Sequence, residues 1–201
     1  MTPLAASSSS PNESSAAASG LLARWRHVLG DTAHLFERRT TSGRHAGHAV
    51  VAGSVRSVSY PVTYTRKIRY SDTDAQGIVF NANYLRYVDD AIVDYFDALT
   101  VNWSQMNERG YDLVLGRAEI DFRSPGRLGD VLSTGVRVES VGTSSIVFDI
   151  SIVDATDRLV VAGKEIQVMV DHQTYEKSAV PPWFVEAVEE LQGPVEWKGR
   201  S

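Results

Sequence analysis

Apolar residues recur with two different periods along the middle of the chain. In residues 62–70 they occupy every second position except position 66, which is the period of a β-strand with one buried face. Over residues 83–99 they form a wide stripe at i, i+3, i+4 and i+7, which is typical of an amphipathic helix. The polar residues 71–77 between them favour a loop. The strand residues expected to face the core are Val62, Tyr64, Ile68 and Tyr70.

After this helix the pattern predicts a sheet of consecutive strands. A short helix is expected at 102–109, closed by Gly110, and a final helix at 183–192, where Pro182 suits the first turn. Because the strands follow one another through short turns, an antiparallel sheet is favoured, and the fold class is predicted to be α+β. The four further strands are expected at 112–122, 131–140, 145–154 and 159–171.

The two ends of the chain differ from its middle. Twelve of the first twenty residues are Ser or Ala, and residues 1–57 are predicted to be an extension outside the fold. This extension is either a disordered tail, a Ser-rich and Arg-bearing targeting segment, or the product of a start codon assigned too far upstream. The domain is expected to span 58–195, with a tail at 196–201. We expect a cytoplasmic protein, or an organellar one if the extension is a transit peptide.

Composition excludes several classes of function. The 201 residues contain no cysteine, which excludes disulfides, thiolate zinc sites and cysteine nucleophiles. The net charge is −5, with +3 in residues 1–56 and −8 in the rest, and such an acidic body argues against nucleic acid as a partner. No segment reaches the roughly 18 apolar residues that a membrane-spanning helix needs. His172 is the only histidine of the predicted domain, which disfavours a Ser-His-Asp hydrolase.

The loop before the long helix carries the candidate chemistry. Asp72, Asp74 and Gly77 lie just ahead of a helix start, which presents unpaired N–H groups and a partial positive charge. Such N–H groups can stabilise an oxyanion, and a nearby carboxylate can attack a carbonyl or deprotonate a water. An ordinary Asx turn or helix cap has the same composition. An EF-hand calcium loop is disfavoured, because its fifth and twelfth positions would be Gln76 and Asn83.

The segment contains an aromatic-x-Asp-x-Asp-x-x-Gly pattern followed by two apolar residues and a helix start, formed by Tyr70, Asp72, Asp74, Gly77, Ile78, Val79, Asn83 and Tyr84. This pattern resembles the motif of the 4-hydroxybenzoyl-CoA thioesterase-like family, which includes the Tol-Pal-associated acyl-CoA thioesterases of the hot-dog superfamily. The similarity continues through the predicted strands and covers residues 60–185. It implies a hot-dog fold, in which a curved antiparallel sheet wraps one long helix, and an enzyme that hydrolyses acyl-CoA to a free acid and coenzyme A.

The resemblance also implies roles for particular residues. Asp74 would be the catalytic carboxylate, as nucleophile or general base, and the backbone N–H of Asn81 would bind the thioester carbonyl. Relatives have tyrosine or histidine at position 81, so the backbone role transfers to Asn81 and the side-chain role does not. Gly77 would let the loop approach the substrate closely. Asp72 is interpreted as a residue that braces the loop.

The expected binding surface includes the motif residues Ile78, Val79 and Tyr84. Arg123 and Arg127, which flank a Pro-Gly turn, are the candidates for binding the phosphates of coenzyme A. The chemistry requires no cofactor and no metal. The resemblance implies a homodimer or homotetramer with the active site between subunits. A non-hydrolytic module that binds acyl-CoA or an acyl-carrier protein stays open as the alternative.

Overall fold

Residues 59–198 are the part of the chain that the structure, a computed structural model, describes. Three α-helices lie in this range: α1 (Asn81–Asp97), α2 (Trp103–Glu108) and α3 (Pro182–Gln192). The strands are β1 (Val62–Lys67), β2 (Tyr111–Phe122), β3 (Val131–Val141), β4 (Ser145–Asp154), β5 (Leu159–Asp171) and β6 (Glu196–Trp197). The predicted extension, residues 1–57, lies outside the described residues.

All these strands belong to one sheet with the order β1-β3-β4-β5-β2, and β6 lies beside β3. Every pairing is antiparallel except the short β3–β6 pairing, which is parallel. Strands that follow one another in the chain are therefore not always neighbours in the sheet, because β2 pairs with β5 and not with β1 or β3. As a result β2, which is 12 residues long, forms one border of the sheet.

Helix α1 packs against one face of this sheet, called the inner face below. The ring of Tyr95 lies edge-on to Phe148 of β4, with 5.8 Å between the ring centroids. Because fully burying one such side chain stabilises a fold by about 1.5–3 kcal/mol, the apolar stripe of α1 holds the sheet around the helix. The buried apolar residues of α1 are Tyr84, Tyr87, Val88, Ala91, Ile92, Tyr95 and Phe96.

The first strand ends earlier than the alternation predicts. β1 stops at Lys67, and Tyr70 lies in a 3-10 turn with 84% of its surface exposed, so the prediction that Tyr70 faces the core is wrong. Alternation predicts a face only while the chain stays extended, and the turn at 70–72 ends the extended segment. Arg66, which the apolar pattern passes over, lies on the inner face, where its guanidinium stacks 5.2 Å from the ring centroid of Tyr87.

Two other boundaries differ from the prediction. α1 begins at Asn81 rather than at residue 83, because its first turn precedes the apolar stripe. The sheet also continues past the expected boundary at 195, since Glu196 and Trp197 pair with Ser140 and Val141 of β3. A strand of two residues is too short to carry a recognisable period. None of the helices in residues 59–198 is long and apolar enough to cross a membrane.

Candidate active site

The loop between β1 and α1 is closed on itself by main-chain hydrogen bonds. The N–H of Asp74 donates to the carbonyl oxygen of Ile78 at 2.9 Å, and the N–H of Gly77 donates to that of Asp74 at 3.0 Å. Gly77 has a φ of 72°, a left-handed conformation that glycine adopts without steric cost. The glycine therefore allows the chain to reverse over residues 74–78 before it enters α1.

Asp72 ties this loop to β1 and to the first turn of α1. The residue is only 1% exposed, and its carboxylate accepts 2.8 Å hydrogen bonds from Nη2 of Arg66 and from the N–H of Arg69. Its carbonyl oxygen accepts 2.9 Å bonds from the N–H of Phe80 and from Nδ2 of Asn83. Burial alone would raise the pKa of Asp72, but the bonds from Arg66 and Arg69 hold it below its usual value. These contacts confirm the bracing role expected of Asp72.

The start of α1 is open to solvent. Phe80, the N-cap residue, has no side-chain acceptor for the first helical N–H groups, and its own N–H is bonded to Asp72. The first N–H groups of an α-helix have no acceptor within the helix. The N–H groups of Asn81 and Ala82, both exposed residues, are therefore available to a ligand oxygen. The helix dipole adds partial positive charge at the same place.

A cleft of about 230 Å³ opens beside this helix start. It brings predicted binding residues together with Asn81, and three residues that sequence reasoning missed complete it: Phe122, Ser124 and Pro125. Phe122 is 54% exposed, although its ring lies 5.7 Å from that of Tyr84. The sequence did contain a signal for Phe122, since a large apolar side chain ends a predicted strand close to a Pro-Gly turn. The lining residues are Ile78, Val79, Asn81, Tyr84, Phe122, Arg123, Ser124 and Pro125.

Gly126 holds the turn after β2 against α1. Its N–H donates to the hydroxyl of Tyr84 at 3.0 Å. A Cβ at this position would lie 3.1–3.2 Å from side-chain atoms of Leu132, Tyr84 and Val79, which is tighter than ordinary contact. Any larger residue at position 126 would require these neighbours to shift by a few tenths of an ångström, so glycine allows the close approach of the turn to the helix. Burial raises the pKa of Tyr84, so its hydroxyl stays protonated and fixed in the cleft wall.

Asp74 is not among the residues that line the cleft, and it lies in the loop that leads to the lining residue Ile78. The residue is partly buried, and its Oδ1 accepts a 2.8 Å bond from the N–H of Gln76, which forms an Asx turn. Its main chain is joined to the cleft wall through Ile78. Oδ2 makes no hydrogen bond or ion pair with any residue in the described range. Oδ1 of Asp74 is therefore held by the loop, whereas Oδ2 is available to form a hydrogen bond with a ligand.

The two predicted phosphate ligands occupy different positions on the turn after β2. Arg123 lines the cleft, and its Nη2 lies 2.8 Å from Oδ2 of Asp121 in an exposed ion pair. Such a pair contributes only about 0–1 kcal/mol, so Arg123 can exchange Asp121 for a phosphate. Arg127 is exposed outside the lining, and its main chain pairs with Ile78. Gly77 likewise lies outside the lining, in the loop.

The histidine of the predicted domain lies away from the cleft. His172 contacts Asp112 at 3.2 Å, near the end of β2 that is opposite to Phe122. Among residues 59–198 there is no group of three or more His, Asp or Glu side chains that could hold a metal ion.

Sequence comparison assigns the family. The signature of the Thioesterase-like superfamily matches residues 68–188, and the chain belongs to this superfamily. A curated relative, the acyl-CoA thioesterase YbgC of Helicobacter pylori, is 28% identical over 128 residues, which cover 60% of this chain and 94% of that protein. The predicted family is confirmed.

Solved structures agree with this assignment. A thioesterase from Thermus thermophilus, in complex with coenzyme A and Zn, has a TM-score of 0.59 at 26% identity and covers 67% of this chain and 96% of its own. The 1,4-dihydroxy-2-naphthoyl-CoA thioesterase Slr0204 from Synechocystis has a TM-score of 0.59 at 23% identity, with coverages of 66% and 98%, and shows the same fold. The predictions of an α+β hot-dog fold and of a thioester hydrolase are confirmed.

Proposed function

We propose that this chain hydrolyses the thioester of an acyl-coenzyme A to a free acid and coenzyme A, with Asp74 and the N–H of Asn81 as its catalytic groups. The observation that carries the proposal is the open start of α1 in the wall of a cleft, together with a loop carboxylate whose main chain is hydrogen-bonded to the cleft residue Ile78. Relatives that are named acyl-CoA thioester hydrolases support the choice of substrate class.

In the proposed reaction the oxygen of the thioester carbonyl accepts a hydrogen bond from the N–H of Asn81. Asp74 deprotonates a water molecule, whose oxygen adds to the carbonyl carbon. The tetrahedral intermediate then collapses, the C–S bond breaks, and the departing thiolate takes up the proton. In the alternative route a carboxylate oxygen of Asp74 adds to the carbonyl carbon, the C–S bond breaks and the thiolate leaves. Water then hydrolyses the resulting anhydride, which releases the acid, restores the Asp74 carboxylate and supplies the proton that the thiolate takes up. Both routes consume one water and yield the same acid and thiol.

The remaining predicted residues are proposed to bind the substrate. Ile78, Val79 and Tyr84 offer an apolar wall to the acyl group beside the reacting carbonyl. Arg123, which lines the cleft, and Arg127, which lies on the same turn, are proposed to bind the phosphates of coenzyme A, because a guanidinium suits a phosphate group. Replacing either arginine should raise KM more than it lowers kcat, because phosphate binding contributes equally to the ground state and the transition state.

A second copy of the chain is proposed to complete the site. Within residues 59–198, β2 pairs only with β5, so the main-chain groups of its other side form an open 12-residue edge. The cleft residue Phe122 lies at the end of this strand and is 54% exposed. A homodimer paired along β2, or a homotetramer of two such dimers, would cover this side chain. Sedimentation velocity tests this point, and a monomer at micromolar concentration would refute it.

Thiol release from acyl-coenzyme A tests the proposed activity. Asp74→Asn and Asp74→Ala should each lower kcat by about 100-fold or more, the contribution of a positioned base or nucleophile. Asp90→Asn, which neutralises an exposed carboxylate on α1, is the matched control and should keep the wild-type rate. Full activity in both Asp74 variants would refute the role of Asp74. Wild-type protein that binds acyl-coenzyme A without releasing thiol would refute hydrolysis and favour a binding module.

A further inference from the structure

Arg158 is a cation beside the cleft to which the proposed reaction assigns no role. It ends the turn 155–158 between β4 and β5, and its side chain is 46% exposed. Its Nη2 lies 3.5 Å from the carbonyl oxygen of Pro125, a residue that lines the cleft. Burial raises the pKa of Tyr84, another lining residue, and the charge of Arg158 acts on the same hydroxyl in the opposite direction. The guanidinium of Arg158 is therefore accessible to solvent and adjacent to the cleft wall.

Hydrogen bonds attach the segment that follows Arg158 to the turn after β2. The hydroxyl of Ser124 donates to the carbonyl oxygen of Leu159 at 2.7 Å. The N–H groups of Arg123 and Ser124 both donate to the carbonyl oxygen of Val160, at 2.9 and 3.2 Å. Since Arg123 and Ser124 line the cleft, these bonds hold the main chain of Arg158 at a fixed place beside it.

Asp154 fixes the direction of the Arg158 side chain. Its Oδ2 accepts a 2.7 Å bond from Nε of Arg158, and its Oδ1 accepts bonds from the N–H of Arg158 and from the N–H and hydroxyl of Thr156. The bonds from Thr156 and Arg158 hold the pKa of Asp154 well below its usual value, so its carboxylate stays ionised. Within residues 59–198, Nη1 of Arg158 makes no hydrogen bond and Nη2 makes only the long one to Pro125. Both nitrogens can therefore donate to a ligand.

A guanidinium that is already held binds an anion at a lower entropic cost than a free one. An arginine side chain loses much rotamer freedom when it binds, and this loss is smaller where the side chain is fixed beforehand. Arg123 is 56% exposed, and its partner Asp121 is 69% exposed, so their pair is weakly held. Asp154, in contrast, is only 13% exposed. The geometry of Arg158 is therefore set before a substrate binds, whereas that of Arg123 is not.

We propose that Arg158, held by Asp154, binds the phosphate that is attached to pantetheine in coenzyme A. The proposal rests on the proposed thioesterase function. A guanidinium fits the oxygens of a phosphate through parallel N–H bonds, which Nη1 and Nη2 of Arg158 can supply. Among the phosphates of coenzyme A this one is nearest to the thioester, and Arg158 is adjacent to the cleft in which the thioester is proposed to react. The phosphopantetheine arm of an acyl-carrier protein has the same phosphate.

Four octanoyl thioesters that differ only in their thiol part test this contact: those of coenzyme A, 3′-dephospho-coenzyme A, 4′-phosphopantetheine and pantetheine. Arg158→Met should raise KM about tenfold or more for the first three and leave kcat unchanged, because a hydrogen bond to a charged group contributes this much and acts equally in the ground state and the transition state. The pantetheine thioester lacks the phosphate, so its KM and kcat should stay at the wild-type values. Arg158→Lys keeps the charge but not the guanidinium, and its KM values should lie between those of wild type and Arg158→Met.

Arg137→Met is the matched control. It removes an arginine that is 36% exposed and whose ion pair with Asp149 lies on the face of the sheet opposite to α1, so all four KM values should stay at the wild-type level. Calorimetric titration of coenzyme A into wild type and Arg158→Met measures the same contact without turnover, and the affinity of the variant should be about tenfold lower. Thermal unfolding verifies that each variant is folded.

The outcomes separate this inference from the proposed function. Equal affinity of wild type and Arg158→Met for coenzyme A, or an equal rise in KM for the pantetheine thioester, would overturn the inference. A loss with coenzyme A but not with phosphopantetheine would overturn the assignment to this phosphate. Binding of coenzyme A without hydrolysis of any thioester would overturn the proposed function alone, and wild-type protein that binds no coenzyme A would overturn both.

Discussion

Position 81 allows one hydrogen-bond donor to be deleted without deleting the helix that carries it. Asn81 is the first residue of α1, where proline is favoured because this N–H has no acceptor in the helix. The preceding residue, Phe80, has φ −62° and ψ 131°, which is the extended conformation that a following proline requires. Asn81→Pro should therefore fold normally and lack the proposed oxyanion donor. Asn81→Ala keeps the donor and removes only the side-chain amide.

The expected loss follows from the number of donors at the helix start. Removing one oxyanion donor typically lowers kcat by about 100- to 1,000-fold, or roughly 2.7–4 kcal/mol. Since the N–H of Ala82 remains exposed in the same turn, the lower end of this range applies, and Asn81→Pro should lose about 100-fold in kcat. KM should change little, because the interaction strengthens only as charge develops on the oxygen. Asn81→Ala should remain close to wild type.

The assay is steady-state thiol release, combined with circular dichroism and urea unfolding of the same samples. Wild-type kcat in Asn81→Pro, with an intact helix and unchanged unfolding midpoint, would refute the assignment of the N–H. An equal loss in Asn81→Ala would transfer the role to the side chain, which the family resemblance does not support. Unfolded Asn81→Pro would contradict the backbone geometry described for the start of α1.

The remaining predictions concern Asp72 and Asp74. Arg66→Met leaves the carboxylate of Asp72 buried without its cation, in a pair whose side chains are 27% and 2% exposed, and should lower the free energy of unfolding by about 3 kcal/mol. Lys164→Met breaks a shorter but exposed pair and should cost less than about 1 kcal/mol in the same urea titration. Because folding lowers the pKa of Asp72, its contribution is present above the unfolded pKa of about 3.9 and is lost as pH falls through the folded value, so wild type and Arg66→Met should converge in acid. In a single turnover in heavy-oxygen water, label in Asp74 would identify it as the nucleophile, whereas a general base predicts label in the released acid and none in Asp74.

Local elements could be predicted because each depends on residues close together in the chain. Strand-like runs between turn signals located β2 to β5 to within one residue, and the helical stripe located α1 to within two. The same short-range reasoning placed Asp74 and Gly77 in a turn before a helix. It failed at Tyr70, where the alternation continues in the sequence but the backbone turns. The loop-favouring residues begin only at Ser71, so the sequence does not signal that the strand already ends at Lys67.

The sequence by itself therefore determined which segments are helix or strand and which loop carries the candidate chemistry. The tertiary structure alone decided that Phe122 faces Asn81 across a cleft, that Arg66 neutralises Asp72, and that Arg158 lies beside Pro125. The physical reason is that these contacts join residues far apart in the chain. Their energy comes from shared burial and charge pairing, which depend on strand order and register, and no local period of two or 3.6 residues encodes either.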